Sequence, residues 1–341
     1  HGFNNPDYEW DSKEIEYLLV GDSFTHGACV NRPHDIASVL RQLSNKSALN
    51  LGYVGNGSLI HYATIKEYLN PKVNKILWMF FEGNDLLDLS FELTSKIFKN
   101  YLENDDFNQN LKFRQIEIDN VANQKIISGH TERVKEIKKK FNFFEFIKLI
   151  NIRNITNNYL PKKYQPSNQT VPFLEFKKIL NLANNFATNN NSKLFFVYLP
   201  EYNRYKIKYD NEKYQKIKKI VNELNIPFID IDSEVFKKEK NPLSLFSFEL
   251  ENHYTINGYY KVAETIFKKT VIDDKNIIVS DADEYLKKLN KDSVNLVFMF
   301  GFLHEVRGRK MLAMHLKKTL QNNFLILISD NLLHFKLRTL V

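Results

Sequence analysis

The sequence predicts an α/β fold, a parallel sheet held between two helical layers as a three-layer sandwich. A helical insertion interrupts it at about residues 95–170, and a small α/β appendage follows from residue 273. Three observations predict this. Short apolar runs alternate with stretches of helical period, the pattern of repeated strand–helix–strand units. One run, Lys75 to Phe81, is continuously apolar after its lysine instead of alternating, as a strand covered on both faces must be. The chain also uses glycine sparingly, 11 in 341 residues, where roughly 7% is usual. Six of the 11 (Gly21, Gly27, Gly52, Gly55, Gly57 and Gly83) gather near the ends of apparent strands. Glycine placed so selectively marks tight turns and close backbone approach, and parallel sheets form their sites at strand C-terminal ends.

Glu16 to Val20 reads as the first strand and runs into Gly21-Asp22-Ser23. A helix over Asp35–Leu43 leads to a second strand, Ala48–Leu51, which ends in the loop Gly52 to Gly57. A helix over Ser58–Leu69 precedes the buried strand Lys75–Phe81, which ends in Glu82-Gly83-Asn84-Asp85. The Asn- and Lys-rich stretch 95–170 carries two helical patterns and no clear strand, and is read as an insertion or cap. Beyond it come a helix over Val171–Thr188, a strand Lys193–Leu199 closed by Pro200, a helix Asn211–Leu224, a strand Pro227–Ile231 and a helix Asn257–Lys268. The periodicity restarts near Asp274. Asn276–Val279, Val294–Phe300 and Phe324–Ser329 read as strands, Asp283–Leu289 and Arg307–Leu320 as helices.

Composition narrows the function classes. With 43% hydrophobic and 26% charged residues the chain is expected to fold rather than remain disordered. The net charge of +8 comes from lysines scattered through Asn/Lys-rich stretches. No focused basic stripe or reading module accompanies it, so no nucleic-acid partner is predicted. No apolar run approaches the roughly 18–20 residues of a membrane span, and membrane association is expected only through a segment preceding His1. The single cysteine, Cys29, leaves no intramolecular disulfide and no multi-cysteine zinc site. Neither metal nor cofactor is called for.

Four residues on loops after strands form a candidate catalytic set. Ser23 lies on a strand-to-helix turn, where its hydroxyl meets substrate and its own N–H can donate to an oxyanion; the bland alternative is a helix cap. Gly55 offers a bare N–H, Asn84 a side-chain amide, and each alone would pass for an ordinary turn residue. His253, in Glu251-Asn252-His253-Tyr254-Thr255-Ile256-Asn257-Gly258 and just before a helix, is the candidate base. His26 is read as pocket lining, Cys29 as packed beside the serine loop, and Trp78, Phe80 and Phe81 as core. The aromatic stretches Phe141–Phe146 and Tyr202–Tyr209 are read as helix packing or as the lining of an acyl or sugar pocket.

Gly21-Asp22-Ser23, Gly55 after Asn50, Gly83-Asn84-Asp85 and His253, in that order, resemble the four blocks of the SGNH hydrolases, or GDSL-type esterases, over about residues 1–270 of a domain read as 1–272. Gly21 to Gly27 resembles bacterial envelope-associated members, which favours the cell envelope over the cytoplasm. The resemblance implies an SGNH/flavodoxin-like sandwich and an acyl-ester hydrolase. In it Ser23 attacks, His253 carries the proton, and the Ser23 N–H, Gly55 N–H and Asn84 amide hold the oxyanion. The implied substrate is a small-molecule, glycan or lipid ester. The family's acid, three residues before its histidine, falls here on Leu250. Glu249 and Glu251 are the candidate orienting acids, with Asp232 or a backbone carbonyl as alternatives. Two other readings stay open: O-acyl transfer at the same site, or a degenerate, non-catalytic fold that binds glycan or a protein partner. The tail, through Asp292 to Val297 and Leu303 to Val306, is similar to the later half of class I S-adenosylmethionine-dependent methyltransferases. It lacks that family's first strand and glycine-rich loop, so no cofactor is expected to bind.

Overall fold

Five strands form one parallel sheet: β1 (Ile15–Val20), β2 (Ala48–Asn50), β3 (Val73–Phe81), β4 (Lys193–Leu199) and β5 (Phe228–Asp230). Their order is β2-β1-β3-β4-β5, a doubly wound, flavodoxin-like arrangement. The computed structural model describes residues 2–69, 72–139, 171–206, 209–274, 296–300, 325–329 and 336–337. It divides into two compact units, His1–Val271 and Ile272–Val341.

The continuous apolar strands are sorted residue by residue onto two faces. Leu18, Val20, Ile76, Trp78, Phe80, Leu194 and Phe196 enter one core, while Tyr17, Leu19, Leu77, Met79, Phe195 and Val197 enter the other. The first core is closed by α3 (Ser58–Tyr68), α4 (Asp85–Glu92), α5 (Lys96–Glu103), α7 (Phe173–Asn189) and α8 (Glu212–Glu223). The second is closed by α2 (Ile36–Ser44) and α10 (Ile256–Asp274). Each large apolar side chain buried this way contributes about 1.5–3 kcal/mol, and Trp78 and Phe80 are wholly buried. The predicted α/β class is therefore present, with strand ends within two residues of expectation.

In the insertion region, α5 and α6 (Gln115–Lys139) are the helices among the described residues; the aromatic run 141–146 lies outside them. Three helices were not anticipated, α1 (Ser23–His26), α4 and α9 (Ile231–Glu234). No helix among the described residues is long and apolar enough to cross a membrane.

The C-terminal unit, taken by itself, holds β6 (Leu296–Phe300) parallel to β7 (Leu325–Ser329), and β8 (Lys336–Leu337) antiparallel to β7. These match two of the three predicted tail strands. The third, Asn276–Val279, and both predicted tail helices lie outside the described residues.

Candidate active site

β1 delivers Gly21, Asp22 and Ser23 to the C-terminal edge of the sheet. Asp22 is fully buried and caps α1, its Oδ1 accepting the Phe24 N–H at 2.9 Å. Ser23 is the first residue of that helix. Capping and presentation of the serine thus coexist on adjacent residues. The β2 loop is pinned beneath: the Asn50 amide donates to the Thr25 carbonyl at 2.7 Å, its Oδ1 accepts from Gly52 N–H, and Tyr53 N–H donates to Gly21 O. A side chain at Gly52 would run into Thr25 and the His26 nitrogen. His26 Nδ1 lies 3.3 Å from Gly52 O, so this histidine contacts the β2 loop.

His253 comes from the far side. Tyr254 beside it is buried and donates its hydroxyl to Pro200 O at 2.7 Å. Ser247 N–H donates to His253 O, and Phe246 bridges Tyr254. The imidazole lies over Phe24, with ring centres 4.5 Å apart, and Phe24 stacks on Phe81 at 3.9 Å. These contacts leave His253 Nε2 2.8 Å from Ser23 Oγ. Burial holds the imidazole below its ordinary pKa.

Neither candidate acid reaches this imidazole. The Glu249 carboxylate accepts from Asn241 and that of Glu251 from Asn203, and Leu250 is 60% exposed. Asp232 is bound by Tyr205, Lys237 and Arg204. The expectation of Glu249 or Glu251 as orienting acid is corrected accordingly. The groups at His253 Nδ1 are Asn252 Oδ1 at 3.2 Å and Cys29 Sγ at 3.8 Å. Cys29 itself is exposed and touches the histidine loop, rather than being packed beside the serine loop.

Asn84 sits at the start of α4 and donates its amide to Asp88 Oδ2 at 2.7 Å. Gly55 occupies an exposed turn with φ +77°. Among the described residues, neither the Ser23 N–H nor the Gly55 N–H has a protein acceptor. Carboxyls cluster beneath. Burial lifts Asp22 to about 7, and lifts Asp85 well above its ordinary value, reinforced by the charge of Asp22. Glu92 is also lifted to about 7 by burial, although it accepts the Gly57, Leu59 and Ile60 N–H groups at the head of α3.

Behind the histidine loop, Arg204 binds Glu82 and Asp232 and lies against Tyr209, joining segments that follow β3, β4 and β5. Tyr202 donates to Glu249 O. The described part of the second aromatic stretch is thus bracing rather than an open lining. Sequence reasoning did not anticipate Asn252, Glu92 or Arg204 in these positions. Asn252 adjoins the histidine, and that adjacency was the one signal on offer. Among the described residues no group of three or more His, Cys, Asp or Glu is placed to hold a metal ion.

No protein-family model and no curated protein matches the chain. Among solved structures it is similar to a member of the lipolytic G-D-S-L family from Veillonella parvula, at 14% identity, covering 74% of this chain and 97% of that one, with a TM-score of 0.40. It is also similar to a variant of an acetyl-xylooligosaccharide esterase from Geobacillus stearothermophilus, at 14% identity, covering 76% and 94%, with a TM-score of 0.40. Similarity at this level assigns neither activity nor substrate.

Proposed function

We propose that the chain is an acyl-ester hydrolase with Ser23 as nucleophile and His253 as base. The observation that carries this reading is the 2.8 Å contact between His253 Nε2 and Ser23 Oγ, made across 230 residues of sequence. Ser23 Oγ bonds to the ester carbonyl carbon while its proton passes to Nε2. The carbonyl oxygen becomes an oxyanion, for which the donors are the Ser23 N–H, the Gly55 N–H and the second N–H of the Asn84 amide. Collapse breaks the bond to the alcohol, which leaves with the proton from Nε2. Water then repeats the sequence on the acyl-serine and releases the acid.

The substrate class is a small-molecule or glycan ester. A depression of about 550 Å³ lined by Asn4, His26, Cys29, Asn31 and Arg32 meets the imidazole on its Nδ1 side through Cys29, and Ser23 is not among its lining residues. Polar groups of this kind suit a hydroxylated ligand. The test is covalent labelling by a fluorophosphonate, comparing wild type with Ser23→Ala and His253→Ala. Labelling that is lost in both variants is expected. A folded wild type that stays unlabelled would refute the assignment.

A further inference from the structure

We propose that Asn252 is the positioning residue for His253, a neutral amide oxygen standing where a triad ordinarily has a carboxylate. This rests on the assignment of His253 as the base. Three donors converge on Asn252 Oδ1: the His253 backbone N–H at 2.8 Å, His253 Nδ1 at 3.2 Å and the Cys29 thiol at 3.4 Å. The first of these fixes the chemistry of the others. A backbone N–H can only donate, so the atom facing it must be the amide oxygen and not the amide nitrogen. The same oxygen faces Nδ1, so Nδ1 must carry the ring proton. The Nε2 lone pair is then left to point at Ser23 Oγ, 2.8 Å away. The reversed amide would present an N–H to Nδ1 and impose the wrong tautomer, the defect that makes an asparagine disabling at the acid position of chymotrypsin-type triads. Here the backbone of the next residue prevents that reversal.

No carboxylate among the described residues competes for the role, because Glu249, Glu251 and Asp232 are engaged elsewhere. Cys29 is the other titratable group at Nδ1, and its thiol shares the same acceptor. A neutral acceptor orients the ring as a carboxylate would, but stabilises the imidazolium less.

The experiment has two arms, run on wild type, Asn252→Ala, Asn252→Asp and Cys29→Ala. The first reads the ¹⁵N shifts of His253 at a pH where the ring is neutral, and requires no catalysis. Wild type is expected to be predominantly the Nδ1–H tautomer, Asn252→Ala to lose that preference, and Cys29→Ala to keep it. A predominant Nε2–H tautomer in wild type, or an unchanged tautomer in Asn252→Ala, would overturn the proposal. The second arm reads the fluorophosphonate labelling rate against pH. Loss of one neutral hydrogen bond predicts a fall of roughly 3- to 10-fold in Asn252→Ala. Asn252→Asp is expected to restore the rate and move the acidic limb up by about one pH unit, because an adjacent negative charge favours the imidazolium. If wild type labels and all variants label alike with one shared pH profile, Asn252 is not a positioning residue. If wild type does not label, the assignment of the base falls, and the tautomer arm still decides the Asn252 contact.

Discussion

Gly52→Ala is expected to displace the turn that carries Ser23. A Cβ at Gly52 would stand 2.5 Å from Thr25 Cβ and 2.7 Å from the His26 nitrogen. Restoring an ordinary 3.4 Å contact asks for about 0.9 Å of movement. Little of this can be absorbed locally. One obstacle is backbone, the other is the branch point of a buried threonine, and the Thr25 carbonyl is held by Asn50 at 2.7 Å. Overpacking of this kind costs about 1–3 kcal/mol, which in a unit of this size lowers Tm by roughly 2–12 °C. The functional cost is larger. A shift near 1 Å takes Ser23 Oγ out of reach of His253 Nε2, now 2.8 Å away, and about 100-fold in labelling rate is at stake. Gly2→Ala is the control. Its φ of +76° carries a left-handed penalty of about 1 kcal/mol, but nothing lies within 4 Å of the new Cβ. Thermal melts and fluorophosphonate labelling of both variants decide the matter. If Gly52→Ala melts and labels like Gly2→Ala, the close packing of the β2 loop under the serine turn is wrong.

Two further outcomes follow from buried charge. Arg204→Ala leaves the buried carboxylate of Glu82 without its cation, while Asp232 keeps Tyr205 and Lys237, and is expected to cost about 3–5 kcal/mol by urea denaturation; a loss below 1 kcal/mol would mean the Arg204–Glu82 pair is not formed. Glu92 is lifted from 4.5 to about 7 by burial, so the native state binds its proton more tightly than the unfolded chain. Its contribution to stability is therefore full below about pH 4.5 and is lost as pH rises through about 7. Glu92→Gln should thus gain stability relative to wild type between pH 5 and pH 8, and an equal difference at both would contradict the shift.

The sheet was legible because its strands are covered on both faces. A continuous apolar run such as Ile76–Phe81, too short for a typical helix and flanked by helices, reads as a strand buried on both faces. The one-turn α1 and the 3-10 turns at 236–249 were not legible, since elements of three or four residues show no period. The approach of His253 to Ser23 could be read because each residue follows a strand at the same edge of a parallel sheet. The group behind the imidazole could not. Phe248 and Glu249 adopt φ of +60° and +52° in succession, a left-handed pair that no glycine or asparagine announces. This pair lies between Phe246 and Leu250, and the carboxylates flanking Leu250 bond to Asn241 and Asn203. Spacing from the histidine carries no information about such a turn.

The carboxyls beneath the serine turn set a second electrostatic condition on the site. Asp22 precedes Ser23 directly, and an ionised carboxylate there opposes the negative charge that the oxyanion donors are meant to collect. Burial, opposed in part by the Phe24 N–H, lifts Asp22 to about 7, so the group is neutral in mildly acidic solution and ionises as the pH passes neutrality. His253 moves the opposite way: burial lowers its pKa, so the base is free of its proton below the ordinary histidine value of about 6.5. The two shifts together predict a bell-shaped labelling profile with its maximum on the acidic side of neutrality. The acidic limb belongs to His253 and the alkaline limb to Asp22, coupled to Asp85. Asp22→Asn separates them. Asparagine is as good a helix cap as aspartate, so the Phe24 N–H keeps its acceptor while the charge beside Ser23 is removed. The variant should keep the acidic limb and extend activity through the alkaline range. An alkaline limb that stays in place in Asp22→Asn would show that the buried carboxyl does not act on the developing oxyanion.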